Sequence, residues 1–569
     1  MVKRTGDRKR FLQEDVLSNS SSRSASRVRT PQVDGEENGQ LDVNFHSIEE
    51  LLTQKLESLQ QLIEMQQQQN VDDPDGSTKD SNATAHDHKQ SKARQYNQVR
   101  IQSGSTTINE IIDSLSTSRA EVSSSSRELL LAQLYKLIVS RPLVVYNEEQ
   151  QGTPNFVTED NVQALLKNLT AEDYRSSSEF LLLFRCCMAL LCSDIDEFGV
   201  LISSDLLNFI LKLIQEPATS VVTNENKASI VTGLTALLMV LHNGSSTYGL
   251  DEKIAYFLEI AEGFSASSIT LSSDLQSGDR EYSTLINDEN DDKRIVNEVV
   301  SKANAEAGVA IAALHGAGCI MTLLPKGDYL NELITDSMSK LVPLLDNDVN
   351  LEISKAAGRA IGLCYEMYTY ARDEDAGEDE DDDEDYNYNS PYYEQESLFS
   401  IVDRLGSLSS HKVAKKDKKS THSIFRDVLN TLKNYTNAEV REEIYKKSPK
   451  GLEIIASMME SNYIKLSKSR SLPINSWFLY LRLIHLKWCF SFGVHGQLVS
   501  NDSIRDILRE TATDYQARYG DSNAAPEAFV GSEYTSNEKF TFDDKKRTNA
   551  IRKARVNKMA EELDDLELK

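Results

Sequence analysis

Amphipathic helical segments follow one another from about residue 106 onward, and this succession restricts the fold more than any other feature of the chain. Segments such as "TTINEIIDSLS" and "DLLNFILKLIQE" repeat apolar residues every three or four positions, which is the period of a helix with one buried face. No stretch of useful length alternates apolar and polar residues as a half-buried strand does. The sequence therefore predicts an all-α fold.

One stretch also predicts how the helices are arranged. In "LVPLLDNDVNLEISKAAGRAIGLC", a helix ends at Leu345, a short acidic turn follows, and a second helix presents apolar residues such as Ile353 and Ile361. This pattern is typical of armadillo and HEAT repeats, in which each helix pair leaves an apolar face that the next pair covers. We predict an armadillo/HEAT-like α-solenoid, with a non-repeating helical bundle as the alternative.

Composition divides the chain into segments. Residues 1–105 are rich in Ser, Gln and turn-forming residues, and eleven of the thirteen residues from Asp373 to Asp385 are acidic. Both compositions are typical of segments without a packed core. The predicted segments are a largely disordered Ser/Gln-rich tail over 1–105 with one helix at 47–65, an N-terminal helical-repeat domain over 106–372, an acidic disordered loop over 373–395, the C-terminal part of the helical domain over 396–512, and a linker with a basic C-terminal helix over 513–569.

The roles of two of these segments stay open. The helix at 47–65, with Ser47 as its N-cap and Glu50 three residues on, is either a coiled-coil or partner-binding helix or a lone surface helix. The acidic loop is either solvated, or a polyanion that binds a basic partner or the lysines of this chain.

No residue pattern predicts catalysis, a metal site or a cofactor. The nine histidines are scattered, the six cysteines lack the spacing of metal ligands, and the chain has no phosphate-binding glycine loop. His315 and His485 lie in apolar helical segments, where we expect core histidines with satisfied hydrogen bonds. The cysteines lie in similar segments and predict core thiols in a reducing compartment. We therefore expect neither enzymatic activity nor a cofactor.

The longest apolar run, "INSWFLYLRLIHLKWCFSFGV", contains Arg482, His485 and Lys487. Charged groups are costly within a bilayer, so the run predicts a buried helix and no membrane span. The chain begins without an apolar signal core, so we do not expect secretion.

Two basic clusters contrast with the formal net charge of −27. The first comprises Lys415, Lys416, Lys418 and Lys419. It precedes a predicted helix that Ser420 or Thr421 caps and that buries Phe425 and Val428. Positive charge opposes the helix dipole at this end, so the cluster is either a phosphate site or an exposed lysine loop in water and salt.

The second cluster lies near the end of the chain and contains no acid. Its basic residues are Lys545, Lys546, Arg547, Arg552, Lys553, Arg555 and Lys558. On a helical wheel these residues fall on nearly all sides, as suits a helix surrounded by phosphates in an RNA-walled channel. A disordered basic tail or a nuclear localisation signal is the alternative.

The stretch "KKDKKSTHSIFRDVL" resembles the interferon-related developmental regulator family. The resemblance extends over most of the chain after about residue 106. It includes "LLDNDVNLEISKAAGRAIGLCYEM" and the final "NAIRKARVNK". Between them it includes Trp477, Lys487, Gly493, Leu498, Ser500, Asn501 and Arg505.

The resemblance implies an armadillo-type body without enzymatic activity and two roles. The first is a ribosome-associated regulator that occupies the tRNA-binding region and represses translation, with the C-terminal helix in the mRNA channel. The second is a nuclear transcriptional co-regulator that uses the solenoid as a protein-binding scaffold. We expect ribosomal RNA as the main partner of a cytoplasmic protein, and protein partners and a nuclear pool under the second role. We expect no membrane and no small-molecule substrate.

Overall fold

A computed structural model of the chain describes residues 46–71, 107–117, 123–145, 153–277, 289–347, 350–370, 389–408, 415–441, 463–465 and 471–508. The acidic stretch 371–388 and the basic cluster from Lys545 to Lys558 lie outside these residues. The predicted segment boundaries and the predicted C-terminal helix therefore stay predictions.

The described elements are mostly α-helices. They are α1 His46–Val71, α2 Ile108–Ser116, α3 Ser124–Ser140, α4 Glu159–Thr170, α5 Ser177–Ser193, α6 Ile195–Phe198, α7 Ser204–Gln215, α8 Asn224–His242, α9 Leu250–Ser277, α10 Glu289–Met321, α11 Asp328–Leu345, α12 Leu351–Met367, α13 Gln395–Leu408, α14 Lys415–Thr436, α15 Trp477–Phe490, α16 Val494–Ser500 and α17 Asp502–Ile507. Short 3-10 helices span Gly199–Leu201 and Ser491–Gly493, and strands β1 Tyr463–Lys465 and β2 Ser471–Pro473 form a small antiparallel ribbon.

The helices form two layers. In the inner layer α3, α5, α8, α10, α12 and α14 pack in that order, each helix on the next. In the outer layer α2 packs on α3, α4 on α5, α7 on α8, α9 on α10, α11 on α12, and α13 on α14. Each pair thus covers its apolar face with the next pair, and the predicted all-α solenoid is confirmed.

Side-chain caps explain where many of these helices begin. Thr107 and Glu110 form a reciprocal capping box at α2, and Ser176 and Thr223 cap α5 and α8. The caps predicted at Ser47, and at Ser420 or Thr421, are wrong because α1 begins at His46 and α14 begins at Lys415. Lysine is a good helix former, so the polar residues before Thr421 extend α14 instead of ending it.

The apolar run predicted as a buried helix is α15, which lies across the inner layer against α5, α8, α10 and α12. Nearly every side chain of α15 is buried, as expected for a helix packed on several faces. Gly362 of α12 permits a close approach of α15, because an added Cβ would lie 2.6 Å from the indole nitrogen of Trp477. Among the described helices, none is both long and apolar enough to cross a membrane.

Buried Arg482 fixes the middle of α15. Its guanidinium donates to the Thr322 hydroxyl at 2.8 Å, to the Thr322 carbonyl at 2.7 Å and to the Ile507 carbonyl at 2.8 Å. It also donates to the side chain of Asn243 at 3.2 Å. These acceptors follow or end helices, where carbonyl groups lack intrahelical partners. Arg482 therefore links the ends of α8, α10 and α17.

The N-terminal helix α1 packs on α3 and α5, and is thus not a lone surface helix. Ile48, Leu52 and Leu59 are buried in this contact. Glu49 of α1 accepts a 2.5 Å hydrogen bond from Arg185, a fully buried residue of α5 that also donates to the carbonyl of Trp488. The guanidinium of Arg185 therefore connects α1 to α15.

All six cysteines are buried free thiols, as predicted. Burial raises the pKa of the Cys319 and Cys364 thiols to about 12, so both stay protonated at neutral pH. They act as core residues.

Candidate functional site

The first basic cluster lies within α14. Lys415, Lys416, Lys418 and Lys419 all fall in the opening turns of this 22-residue helix. The prediction that they precede the helix is therefore wrong, but they do lie at its N-terminal end. Their side chains lie outside the described residues.

The rest of α14 fixes this end to the solenoid. Phe425 and Val428 are buried, as predicted, between α13 and α12. Thr431 accepts a 2.9 Å hydrogen bond from the indole N–H of Trp477, so α14 is also bonded to α15. The lysines thus belong to a helix that is held by its apolar face.

The second basic cluster, from Lys545 to Lys558, lies outside the described residues, so its relation to the first stays a prediction. In the part of the chain that the structure describes, no group of three or more His, Cys, Asp or Glu side chains could hold a metal ion.

A cavity of about 750 Å³ lies between the inner-layer helices α8, α10 and α12 and the crossing helix α15. Its wall includes Asn297, Ser301 and Asn304, which are spaced along one side of α10. Glu225 and Glu352 line it as well, and both are exposed. Volumes of 300–1,000 Å³ are usual for ligand pockets.

Three buried nitrogen-bearing side chains also line this cavity: His315, Arg359 and His485. A guanidinium nitrogen of Arg359 lies 3.3 Å from Nε2 of His315, which must accept this hydrogen bond. The guanidinium also lies over the ring of Tyr480, 5.3 Å from its centroid. Nε of Arg359 has no hydrogen-bond partner among the described residues.

His485 has one bonded and one unbonded nitrogen. Its Nδ1–H donates to the carbonyl of Leu481 at 2.7 Å, so Nε2 carries the lone pair. Nε2 is buried without a partner in the described part of the chain. The prediction that this core histidine is fully satisfied is therefore wrong.

Burial keeps both histidines neutral. It lowers the pKa of His485 to about 4. It also lowers the pKa of His315 well below its usual value, and the nearby charge of Arg359 acts in the same direction. At neutral pH, Arg359 is therefore the one positively charged side chain among His315, Arg359 and His485.

Sequence reasoning missed this cavity. The available signal was the single arginine within the small apolar residues of "KAAGRAIGLC". A charged residue on the buried face of a repeat helix needs a partner, and that partner comes from helices distant in sequence.

The fold and these features define an α-solenoid, the class of protein that presents extended binding surfaces along its stacked helices. Residues 282–433 match the family model of the interferon-related developmental regulators. That region, which includes α10 to α13 and most of α14, is similar to this family.

A curated relative shows the same likeness. Interferon-related developmental regulator 2 of Mus musculus is 29% identical over 202 residues. The match covers 35% of this chain and 36% of the mouse protein. The family match is narrower than the resemblance noted in the sequence, since α15 and the C-terminal basic cluster lie beyond residue 433.

Proposed function

We propose that the chain is a ribosome-associated regulatory protein that occupies the tRNA-binding region and represses translation. In this proposal the C-terminal basic cluster forms a helix in the mRNA channel, and the lysines at the start of α14 contact ribosomal RNA. The proposal rests on the family assignment and on the roles that the resemblance implies. It places the protein in the cytoplasm.

The observation that carries the proposal is the position of Lys415, Lys416, Lys418 and Lys419 at the N-terminus of α14. Free backbone N–H groups and the positive end of the helix dipole favour anions there. Four lysines add charge that opposes the isolated helix but suits a bound phosphate backbone. The segment lies within the family match of residues 282–433.

The charge of the whole chain supports a restricted RNA contact. A net charge of −27 repels phosphate over most of the surface, so binding would depend on the few basic clusters. Such a protein would bind structured RNA only where its basic clusters contact the RNA.

Sucrose-gradient sedimentation of the tagged full chain tests the proposal. We expect co-migration with monosomes that survives nuclease treatment of polysomes. Replacing Lys415, Lys416, Lys418 and Lys419 by glutamine should release the protein at lower salt. Each lost phosphate contact should reduce the slope of log affinity against log salt by about 0.7–0.9.

A matched control variant removes four positive charges outside the lysine cluster at the start of α14. Its targets are the exposed residues Lys136, Lys167, Lys212 and Lys433, each replaced by glutamine. This variant should sediment like the unmodified chain. A chain that never co-migrates with ribosomes and is found in a nuclear, ribosome-free pool would overturn the proposal and favour the transcriptional role.

A further inference from the structure

The cavity between α8, α10, α12 and α15 contains a buried charge that its neighbours do not neutralise. Arg359 is only 5% exposed. Its two closest described partners are His315, held neutral by its lowered pKa, and the ring of Tyr480. A buried guanidinium is costly unless an anion or several hydrogen-bond acceptors compensate it. The cavity thus favours a group with negative charge.

His485 adds a second unfilled hydrogen-bonding position. His485 lines the same cavity, and its Nε2, which is an acceptor, is buried without a partner among the described residues. Arg359 requires an acceptor and His485 requires a donor, so a ligand that offers both would fit best. A carboxylate next to a backbone N–H, as in a peptide, offers both.

The wall of the cavity matches a polypeptide backbone. Asn297, Ser301 and Asn304 succeed one another at four- and three-residue spacing on α10, and all three are exposed. Asn297 and Asn304 are thus about 10 Å apart along the helix, which is close to three residues of an extended chain. Their amides can donate to and accept from peptide groups, while Val300 and Ile484 supply apolar contacts.

The exposed acids disfavour a strongly anionic ligand. Glu352 is paired with Lys355 at 2.5 Å, but Glu225 lies on α8 facing the same cavity. A phosphate with two charges would meet one guanidinium, Glu225 and the Glu352–Lys355 pair. A carboxylate with one charge, followed by a basic residue, would match both Arg359 and the acids.

We propose that this cavity binds an extended peptide segment whose acidic side chain reaches Arg359 and whose neighbouring basic residue meets Glu225 and Glu352. The site goes beyond the proposed ribosome contacts, because none of its residues belongs to either basic cluster. The peptide belongs to a partner protein.

Binding of fluorescein-labelled peptides to the full chain, measured by anisotropy, tests the site. The probes are three hexapeptide pools that share a fixed Lys at position five and carry Glu, Gln or phosphoserine at position three. We expect saturable binding of the Glu pool. The Gln pool should bind about 10- to 100-fold more weakly, because a charged hydrogen bond is lost.

Two substitutions locate the binding. Arg359→Met should weaken binding of the Glu pool by about the same factor and leave the Gln pool unchanged. Gly308 lines the cavity, and an added Cβ there would make only an ordinary contact, with the Cβ of Ala228 at 3.9 Å. The larger side chain of Gly308→Leu should therefore occupy the cavity and block binding. Gly308→Ala is the matched control and should bind like the unmodified chain.

Each remaining outcome overturns the proposal. Absence of saturable binding to the Glu pool would exclude an acidic peptide. Binding that is insensitive to both Arg359→Met and Gly308→Leu would place the peptide elsewhere. A preference for the phosphoserine pool would replace the carboxylate by a phosphate. If Arg359→Met does not fold, Gly308→Leu against Gly308→Ala decides the location alone.

Discussion

Glu366 on α12 accepts a hydrogen bond from the backbone N–H of Trp477, with 2.9 Å between the carboxylate oxygen and the nitrogen. Its second oxygen accepts from the N–H of Phe478 at 3.0 Å. A buried acid thus caps the N-terminus of the helix that crosses the inner layer, where negative charge is favoured.

We predict that Glu366→Ala lowers the free energy of unfolding by about 2–4 kcal/mol, because two buried N–H groups lose their charged acceptor. Glu366→Gln keeps one acceptor and should cost about half as much. Urea denaturation followed by circular dichroism measures both. Exposed Glu159, in the first turn of α4, is the control, and Glu159→Gln should change stability by no more than about 0.5 kcal/mol. Equal losses at both sites would show that the cap does not hold α15.

Two of the buried arginines, Arg482 and Arg359, should respond in opposite ways to replacement by methionine. Arg482→Met leaves the acceptors of Thr322, Asn243 and Ile507 without their donor and should cost about 3–5 kcal/mol. Arg359→Met removes a charge that the described residues do not neutralise and should be neutral or stabilising. Urea melts of the two variants side by side test this contrast. A large loss for Arg359→Met would mean that the charge is compensated within the chain.

The packed face of α14 gives a third prediction. Phe425→Ala should cost about 3–5 kcal/mol, and Val428→Ala less, because it deletes fewer buried atoms. His422→Ala, on the exposed face of the same helix, is the control and should cost under about 1 kcal/mol. Urea midpoints of the three variants provide the measurement, and near-zero loss for Phe425→Ala would show that α14 is not packed on α12.

Asp427 gives a prediction on pH. Burial raises the pKa of this carboxyl to about 6, although the charge of Arg426 acts in the opposite direction. The folded chain therefore binds the proton more tightly than the unfolded chain, whose pKa is near 3.9. The contribution of Asp427 to stability thus rises as the pH falls from about 6 towards 4, and the buried charge is costly above pH 6.

Asp427→Asn should accordingly stabilise the chain by about 1–3 kcal/mol at pH 8, and the gain should shrink at pH 5. Urea melts at the two pH values measure the difference. The exposed Asp403→Asn variant, on α13, should differ from the unmodified chain by less than about 0.5 kcal/mol at either pH. A gain at Asp427 that is equal at both pH values would contradict the raised pKa.

The sequence predicted those features that depend on local pattern. Helical periodicity identified the solenoid, and Arg482 and His485 within an apolar run identified α15 as a buried helix. The predicted start of α14 lies six or seven residues too late, because the lysines before the expected serine or threonine cap also favour a helix.

The cavity could not be predicted, because it depends on contacts between distant parts of the chain. His315, Arg359 and His485 come from three helices, and no local period relates them. The contact of α1 with α5 has the same origin, since Glu49 and Arg185 are 136 residues apart. The two-stranded ribbon at Tyr463–Lys465 and Ser471–Pro473 is too short for its alternation to be recognised.

The position of α15 has a consequence for synthesis of the chain. Arg185 bonds to the carbonyl of Trp488, 303 residues later. The inner-layer helices therefore emerge from the ribosome long before the helix that covers them, and their apolar surface stays uncovered throughout that interval. Chains interrupted before residue 477 would keep this surface permanently, so we expect them to depend on chaperones or to be degraded, whatever their remaining repeats could bind.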